Sequence, residues 1–425
     1  MHPTIQFPLD FVFGSAAAAH QVEGNNVHND WWAHEHAPNT NAVEVSGSAC
    51  DHYHRFAEDF RLLKSLGQPA HRLSIEWSRI EPAEGQIQKA EVEHYRQVLT
   101  TLRELEIEPW VTLHHFTSPV WFIQKGGFAR AENVPLFRRF VERVAREYGD
   151  LAQRWCTINE PTAVAELGYR FGYFPPRLTV PEVAADVLTN FFRAHAAAAD
   201  ALREYARRTP SVGITLAVQQ HEPYRPDSTA DQALAAQRDA ETNGVSFAAL
   251  GTGVFSYPGR APVKIAGLEA SSSFVGIQYY SRVRYDVESG GPAFPDSSRQ
   301  LSQMAWEIYP EGFPPLLERA AATGLPVYVT ENGICCDDDR QRVQYIADHL
   351  AAVDQARGAG ANVRGYFYWS SMDNFEWNFG YKPKFGLIAV DQQTLARTPR
   401  PSAHFFADVI RDRKVTRELV AAYTR

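Results

Sequence analysis

Strict alternation between extended and helical segments is the feature that most constrains how this chain can fold. Eight short runs rich in β-branched and aromatic residues alternate with eight stretches that have the apolar spacing of an amphipathic helix. This alternation predicts parallel strands connected by helices, and eight such units predict closure into a barrel. The predicted strands are residues 11–16, 71–76, 108–113, 154–158, 212–218, 274–279, 326–330 and 364–369, and the predicted helices are 54–66, 91–106, 134–148, 182–207, 229–249, 312–323, 340–357 and 402–411.

A closed barrel is favoured over the alternative, an open doubly wound sheet. The open sheet would need a glycine-rich phosphate loop after its first strand, and Gly14 stands there without the required partner glycines. A length of 425 residues is compatible with one barrel that carries long loops, and no linker, low-complexity tract or internal repeat divides the chain. We therefore predict an α/β fold with a single (β/α)8 TIM barrel domain over residues 1–425.

Composition and charge argue against several classes of protein. With 44% hydrophobic and 22% charged residues, the chain has the composition of a packed globular protein and not of a disordered one. The net charge of −8, from 42 basic and 50 acidic residues, argues against nucleic-acid and anionic-membrane partners. We expect no membrane span and no secretion signal, because no sufficiently long apolar stretch occurs. Four cysteines are too few for a disulfide framework, so we expect a cytoplasmic protein. The sequence is compatible with a monomer or a homo-oligomer.

Two carboxylates at predicted strand ends indicate the chemistry. Catalytic residues of such barrels lie at the carboxyl ends of the strands, where Glu160 and Glu331 each stand beside an asparagine. Two carboxylates in one pocket, together with amide donors and aromatic walls, are suited to glycoside hydrolysis. From these residues alone the roles of the two glutamates stay open, and either motif taken singly is common in sequences without catalytic function.

Nine motifs are distributed along nearly the whole chain. They are FVFGSAAAAHQVEG (11–24), DHYHRFAEDFRLLKSLG (51–67), RLSIEWSRIEP (72–82), TLHHFTSPVW (112–121), WCTINEP (155–161), FVGIQYYSR (274–282), WEIYPEGF (306–313), VTENG (329–333) and YWSSMDNFEWNFGYKPKFGLIAVD (368–391). In sequence and in order, these motifs resemble glycoside hydrolase family 1, the β-glucosidase family. The resemblance implies a (β/α)8 barrel with β-glycosidase activity.

The resemblance also implies a role for each carboxylate. Glu160, in the Asn-Glu-Pro motif, would be the general acid and base, and Glu331, in Thr-Glu-Asn-Gly, would be the nucleophile. Arg72 and Tyr280 occupy positions that contact the nucleophile in the family, where a guanidinium and a phenol would keep Glu331 ionised. The two carboxyl groups should lie about 5–5.5 Å apart, a separation that gives retention of configuration. Glu160 also argues against the thioglucosidases of the family, which carry glutamine at that position.

Further residues are assigned to the sugar by resemblance. Trp369 would form the floor of the sugar site, Trp306 would line the aglycone side, and Glu376 with Pro383 and Phe385 argues for unphosphorylated sugars, since a phosphate would be repelled by a carboxylate. The implied sugar contacts are Gln21, His115, Asn159, Glu376 and Trp377.

The chain departs from the family pattern at three places. Gln278 stands where asparagine is usual, which would alter the hydrogen bond near the 2-hydroxyl, and Phe116 replaces a tryptophan that donates to the 3-hydroxyl. The segment 333–346 is shorter than usual, which would open the aglycone entrance and place Cys335 and Cys336 on its lip, within reach of oxidants.

The sequence thus predicts a retaining exo-β-glycosidase that releases terminal β-D-glucosyl, β-galactosyl or β-fucosyl units from small glycosides or short oligosaccharides. No cofactor or metal is expected, because carboxylates supply the chemistry. Three alternatives are a carbohydrate-binding barrel with weak or no activity, a β-glycosidase for an unusual sugar, and a metal-dependent hydrolase. The third draws on a histidine-rich region with ligand-like spacing, although its DHYHR segment falls within a helix of the family pattern; the residues are His34, His36, Asp51, His52 and His54.

Overall fold

A closed barrel of eight parallel strands forms the centre of the molecule, in a computed structural model that describes residues 4–425. Each strand pairs with its neighbour in chain order, and the eighth pairs with the first through Gly365 to Trp369 and Val12 to Ala16. The predicted (β/α)8 fold is confirmed. The strands are β1 (Val12–Ala16), β2 (Ala70–Ser74), β3 (Glu108–Thr112), β4 (Arg154–Asn159), β5 (Ser211–Pro223), β6 (Phe274–Asp286), β7 (Val327–Asn332) and β8 (Val363–Trp369).

Helices surround the barrel and follow the strands in the predicted alternation. The principal helices are α1 (His52–Ser65), α2 (Lys89–Glu104), α3 (Val134–Tyr148), α4 (Pro181–Tyr205), α5 (Thr229–Asp239), α6 (Val245–Thr252), α7 (Phe313–Ala321), α8 (Asp339–Gly358) and α9 (Pro401–Asp412). Shorter helices occur in the loops and at the C-terminal end, at Ala19–Val22, Asp30–Glu35, Trp77–Ile80, Val120–Gln124, Pro161–Ala165 and Arg417–Thr424. Short strand pairs are Ile5–Gln6 with Lys414–Val415, Val254–Phe255 with Val263–Lys264, and Ile388–Val390 with Arg397–Pro399, and Gly291–Pro292 pairs with β6.

The predicted helix 229–249 is divided in two. A π-helical turn at Ala240–Gly244 separates α5 from α6, with one extra residue in the turn. Within this turn the buried Asn243 amide donates hydrogen bonds to the Gln219 carbonyl oxygen (2.8 Å) and to Asp239 Oδ1 (2.7 Å). The helical periodicity of the sequence continues through the turn, so the interruption becomes visible only from this contact with β5.

The barrel interior is closed below the site by a cluster of apolar side chains. Trp110 is fully buried at its centre, with its ring centroid 4.8 Å from that of Tyr328 and 4.9 Å from that of Phe367. Six strands contribute to this cluster, and residues from so many strands can meet only inside the barrel. The members are Ala70, Trp110, Cys156, Phe274, Tyr328 and Phe367.

Strands β5 and β6 run well beyond the ends predicted for them. Their pairing continues past the other strands to Pro223 and Tyr285, after an irregularity in register between Val218 and Gln220. The added residues, such as His221 and Arg282, are mostly polar and do not show the continuous apolar pattern of a buried strand. The extension forms a wall beside the carboxyl ends of the strands.

Candidate active site

A cavity of about 370 Å³ opens at the carboxyl ends of the barrel strands. The structure brings both predicted catalytic glutamates and every predicted sugar contact to its walls, although they come from distant parts of the sequence. These residues are Gln21, His115, Phe116, Asn159, Glu160, Gln278, Tyr280, Trp306, Glu331, Trp369, Glu376, Trp377 and Phe385. Arg72, the remaining predicted residue, is fully buried behind the wall.

Glu331 is held by three donors at the end of β7. Its Oε1 accepts hydrogen bonds from Arg72 Nη1 and from Gln278 Nε2 (2.8 Å), and its Oε2 accepts from the Tyr280 hydroxyl (2.7 Å). These contacts fix the plane of the carboxylate. The chain then passes so close to β8 that a Cβ atom at Gly333 would lie 1.7 Å from the Trp369 carbonyl oxygen. Glycine is therefore required at this position after the glutamate.

Asn159 connects Glu331 to the neighbouring polar residues. Its Oδ1 accepts hydrogen bonds from Arg72 Nη2, from Gln278 Nε2 (2.8 Å) and from the Thr215 hydroxyl (3.1 Å). Gln278, the predicted departure from the family pattern, thus bridges Asn159 and Glu331. Because Asn159 Oδ1 is surrounded by donors, its Nδ2 must be the atom that faces His115 Nε2, at 3.2 Å.

This arrangement determines the tautomer of His115. Nε2 accepts from the Asn159 amide, so the proton of the neutral ring lies on Nδ1. Burial, with the positive charge of Arg72, holds the pKa of His115 well below its usual value, and the ring is neutral. Nδ1 is buried without a partner in the protein. His115 thus carries a ring N–H without a partner in the protein, on a residue that lines the cavity.

Glu160 lies in a different environment, directly after the end of β4. Its backbone adopts a left-handed conformation (φ 46°), and its N–H donates to the Thr215 carbonyl oxygen (2.8 Å). Pro161 then begins a short helix. Within residues 4–425 no side chain or N–H group donates a hydrogen bond to the Glu160 carboxylate, in contrast to the three donors on Glu331.

The different surroundings decide which carboxylate carries a proton. Burial raises the pKa of Glu160 well above its usual range, and the negative charge of Glu331 raises it further. Burial also raises the pKa of Glu331, but the charge of Arg72 and the hydrogen bond from Tyr280 lower it. Since only Glu331 has donors that stabilise its anion, the shared proton resides on Glu160.

Gln21 and Glu376 form a second polar pair in the cavity. Gln21 Nε2 donates to the Phe375 carbonyl oxygen (2.9 Å), to Asn374 Oδ1 (3.1 Å) and to Glu376 Oε2 (3.3 Å), which leaves Gln21 Oε1 buried without a partner. Burial, with the charge of Glu331, raises the pKa of Glu376 to about 8. An unpartnered amide oxygen beside a carboxyl group can accept and exchange hydrogen bonds with the hydroxyls of a sugar.

Aromatic rings complete the walls. The Trp377 ring lies 5.0 Å from that of Phe116, and the Trp369 ring is nearly parallel to the His115 ring at 5.9 Å. Trp306 packs against the cluster that contains Trp369 and Phe385, with its ring centroid 5.5 Å from that of Tyr280. Flat apolar faces of this kind stack on the C–H face of a pyranose.

Two cysteines are not where the sequence suggested. Cys335 and Cys336 were expected on the entrance lip within reach of oxidants, but both side chains are buried. Cys335 packs with Trp369 and Phe385, and Cys336 packs with Ile334 and Tyr345. Burial also raises the pKa of Cys335 to about 12 and that of Cys336 to about 11, which disfavours the reactive thiolate.

The histidine-rich region forms local contacts. His52 Nδ1 lies 2.7 Å from Asp59 Oδ2, His54 Nδ1 lies 2.6 Å from Asp51 Oδ1, and His34 Nε2 lies 3.0 Å from Asn378 Oδ1. Across residues 4–425, no three histidine, cysteine, aspartate or glutamate side chains are grouped so as to hold a metal ion. In the same part of the chain, no helix combines the length and the hydrophobicity needed to cross a membrane.

Some cavity residues were not predicted from the sequence. They lie in the short helix at Pro161–Ala165 and just after it, at the predicted end of β5 and on the extensions of β5 and β6, and in the segments before α7 and after β8. A signal was present for three of them, because Gln219 follows the predicted end of β5 and Ser281 and Arg282 end the motif at 274–282. The residues are Ala163, Leu167, Tyr173, Phe174, Ala217, Val218, Gln219, Ser281, Arg282, Val283, Met304 and Phe379.

Comparison with known proteins places this geometry in a family. The chain matches the Glycosyl hydrolase family 1 profile over residues 3–267 and 264–415. It is 30% identical to Beta-glucosidase A of Thermotoga maritima over 438 residues, which cover 96% of this chain and 98% of that protein. The solved structure of a beta-glycosidase from Pyrococcus horikoshii superposes with a TM-score of 0.91 at 37% identity, covering 99% of this chain and 98% of the other. A beta-glucosidase from Thermotoga maritima in complex with glucoimidazole gives 0.89 at 30% identity, with 96% and 99% covered.

Proposed function

The chain belongs to glycosyl hydrolase family 1 and is a glycoside hydrolase, and on this premise we propose that it is a retaining exo-β-glycosidase. Its substrates would be glycosides with a terminal β-D-glucosyl, β-galactosyl or β-fucosyl unit. The observation that carries the proposal is the unequal support of two carboxylates in one cavity, with three donors on Glu331 and none on Glu160. Relatives named beta-glucosidase, one of them in complex with glucoimidazole, support the substrate class.

In the first step of the proposed reaction, ionised Glu331 attacks the anomeric carbon. Glu160 donates its proton to the glycosidic oxygen, and the alcohol leaves as a covalent glycosyl ester forms on Glu331. Arg72 and Tyr280 keep Glu331 ionised and oriented for this attack. Because the leaving alcohol receives a proton as its bond breaks, it departs without a developing negative charge.

In the second step, water attacks the glycosyl ester. Esterification removes the negative charge of Glu331, so the pKa of Glu160 falls and its carboxylate can accept a proton from the incoming water. Water adds from the face that the alcohol left, and Glu331 is released as a carboxylate. Two inversions give a product with the configuration of the substrate.

Polar atoms in the cavity would select the sugar. Gln21 Oε1 and His115 Nδ1 are an acceptor and a donor without partners, and Glu376 lies beside Gln21. Phe116 contributes a ring to the same wall and no hydrogen bond, so the indole contact usual in the family is absent at this position. Gln278 Oε1 is also unpartnered, on the amide whose Nε2 donates to Glu331.

A panel of aryl glycosides tests the proposal. We expect hydrolysis of 4-nitrophenyl β-D-glucoside, β-D-galactoside and β-D-fucoside at measurable rates, and we expect these rates to persist in EDTA because the proposed chemistry uses only carboxylates. Proton NMR during hydrolysis should show the β-anomer of the sugar first, before mutarotation. An enzyme inert toward all three would favour the carbohydrate-binding alternative or an unusual sugar, and loss of activity in EDTA would favour a metal-dependent hydrolase.

A second prediction concerns the hydroxyl of Tyr280. Its hydrogen bond lowers the pKa of Glu331, so Tyr280→Phe should raise that pKa. A nucleophile must be ionised, and activity falls as the pH drops through its pKa. The acidic limb of kcat/KM should therefore move to higher pH, and the maximal value should fall about 10-fold to 100-fold, the effect of one hydrogen bond to a charged group. The measurement is the pH profile on 4-nitrophenyl β-D-glucoside.

Tyr279→Phe is a matched control for this variant. Tyr279 is adjacent in sequence, but its hydroxyl donates to the Tyr309 carbonyl oxygen (2.6 Å) and not to Glu331. The acidic limb should keep its position in this control. An equal shift in both variants would mean that the change reflects general loosening of β6 and not the hydrogen bond on Glu331.

A further inference from the structure

Trp377, one of the aromatic wall residues of the cavity, has an unfavourable backbone conformation. Its φ of 51° lies in the left-handed region, which few residues other than glycine adopt. Such a conformation persists only where the surrounding structure holds it, and residues of this kind are concentrated at functional sites. The contacts that hold Trp377 therefore bear on how the cavity binds its ligand.

A buried histidine packs against the Trp377 ring from within the protein. The imidazole of His20 is nearly parallel to the indole, with 10° between the ring planes and 5.7 Å between the ring centroids. His20 is 1% exposed and lies outside the cavity lining, whereas the next residue, Gln21, is part of that lining. His20 thus supports a wall that it does not itself form.

Neighbouring polar groups fix the orientation of the His20 ring. Asn29 Oδ1 accepts a hydrogen bond from the Trp32 N–H (2.7 Å), so the Asn29 amide nitrogen is the atom that faces His20 Nδ1, at 3.1 Å. Nδ1 is therefore an acceptor, and Nε2 carries the ring proton. Nε2 lies 3.2 Å from Glu35 Oε1. The Glu35 carboxylate is held in turn by the N–H and the hydroxyl (2.7 Å) of Ser46.

The short helix Asp30–Glu35 also holds the Trp377 segment directly. Trp31 packs on the indole, with 4.5 Å between the ring centroids. His34 Nε2 lies 3.0 Å from Oδ1 of Asn378, the residue that follows Trp377. Burial lowers the pKa of His34, and the Asn378 amide nitrogen donates elsewhere, so a neutral His34 donates from Nε2 to this oxygen.

These contacts come from one face of one helix. Trp31, His34 and Glu35 have the i, i+3 and i+4 spacing that places side chains together on a helix surface, and all three are buried. The first packs on the Trp377 ring, the second holds the residue after it, and the third contacts His20. One histidine of the region with ligand-like spacing thus belongs to the support of the cavity wall.

We propose that His20 is a positioning residue for the sugar, which acts through Trp377 and is itself aligned by Asn29 and Glu35. This proposal rests on the proposed function, because it assigns Trp377 to the binding of the glycosyl unit. A wall ring that is already held in its binding orientation loses little conformational freedom when the ligand arrives, so the ligand binds more tightly. His20 should therefore affect affinity for the sugar and leave the dependence on the leaving group unchanged.

Calorimetric titration with deoxynojirimycin, a probe of the size of one sugar without a leaving group, measures this effect in the absence of turnover. His20→Ala removes the ring that packs on Trp377 and should raise Kd about fivefold to tenfold. His20→Phe keeps a flat ring there and should stay within about threefold of the wild-type Kd. An unchanged Kd in His20→Ala, or an equal loss of affinity in both variants, would overturn the proposal.

A double-mutant cycle tests whether His20 acts through Trp377. In a Trp377→Leu background, His20→Ala should change the Kd for deoxynojirimycin by less than about twofold, because the ring that His20 supports is already absent. A merely structural role of His20 would instead give the same loss in both backgrounds. Additive effects of the two substitutions would therefore contradict the assignment of His20 as a positioning residue.

His195→Ala is the matched control. His195 is also fully buried, outside the cavity lining, and its ring nitrogens lie 2.7 Å from the Thr157 hydroxyl and 2.8 Å from the Ser271 hydroxyl. This variant should lower the Tm as His20→Ala does and leave Kd unchanged. An equal loss of affinity in the control would show that destabilisation alone explains the effect, against the proposal.

Hydrolysis of 4-nitrophenyl β-D-glucoside, measured in parallel, reports on the proposed function independently of these Kd values. A wild type that hydrolyses the glucoside, with a Kd that does not depend on His20, would overturn the role of His20 alone. A wild type that binds deoxynojirimycin with the expected dependence on His20, but hydrolyses no aryl glycoside, would support the role of His20 and contradict the proposed function.

Discussion

Replacement of Glu331 by alanine is expected to lower kcat on 4-nitrophenyl β-D-glucoside by roughly 10⁵- to 10⁶-fold, as the loss of a covalent nucleophile does in other enzymes. The three donors that orient Glu331 would remain, but no group would be left to attack the anomeric carbon. Added azide should enter the space of the missing carboxylate and restore turnover. It would attack from the Glu331 side in one inversion, so the product should be the α-glycosyl azide.

The control for this experiment is Glu318→Ala, which removes an exposed carboxylate from α7 and should leave kcat unchanged. Circular dichroism of both variants checks that the fold is retained. Residual activity above about 1% of wild type in Glu331→Ala, or a β-glycosyl azide as the product, would contradict the role proposed for Glu331.

Replacement of Glu160 by alanine should produce a loss that depends on the leaving group. Alkyl glucosides need a proton on the departing oxygen, so their rates should fall by about 10³- to 10⁴-fold, near the upper range for general acid catalysis. 2,4-Dinitrophenyl β-D-glucoside needs no such proton, so its first turnover should stay fast while release of the glycosyl ester becomes slow. A burst of dinitrophenol followed by slow turnover is the expected time course.

The pH dependence and azide provide independent checks on Glu160. Burial and the charge of Glu331 raise the pKa of Glu160, and the acid is lost as the pH rises through this value. The alkaline limb of kcat/KM should therefore be present in the wild type and absent in Glu160→Ala. Azide needs no base, so it should accelerate the slow phase and give the β-glycosyl azide. Glu160→Gln keeps the volume of the side chain and should show the same leaving-group dependence; equal losses for both substrates would refute the acid role.

Much of the barrel could be predicted because its strands have a distinctive sequence pattern. A parallel barrel strand is buried on both faces and appears as a short apolar run, as in β4 and β7, where most residues are buried. The extensions of β5 and β6 do not have this apolar sequence pattern. There, residues such as His221 and Arg282 are polar, and the backbone stays extended because the two strands pair with each other. Pairing between segments far apart in sequence leaves no local signature.

Cavity residues near the strand ends could be predicted from the sequence more readily than cavity residues in the long loops. Gln21, Glu160 and Glu331 lie directly at or after strand ends, so the barrel topology alone brings them to one face. Tyr173 lies in a long loop, whose position depends on hydrogen bonds to its carbonyl oxygen from Asn41 Nδ2 (3.0 Å) and Asn378 Nδ2 (2.6 Å). Those donors come from remote segments, and the sequence does not reveal that they meet.

The sequence by itself determined the fold class, the family and which two carboxylates line one cavity, because alternation and motif order are properties of the chain. The resemblance implied the contacts of Arg72 and Tyr280 with Glu331, but only the tertiary structure shows that Gln278 is a third donor to Glu331 and that Glu160 has none. Arg72, Gln278 and Tyr280 all donate to Glu331, while burial without a donor keeps the proton on Glu160. Electrostatic interaction depends on distance and on exclusion of water, and neither quantity is encoded in the spacing of residues along the chain.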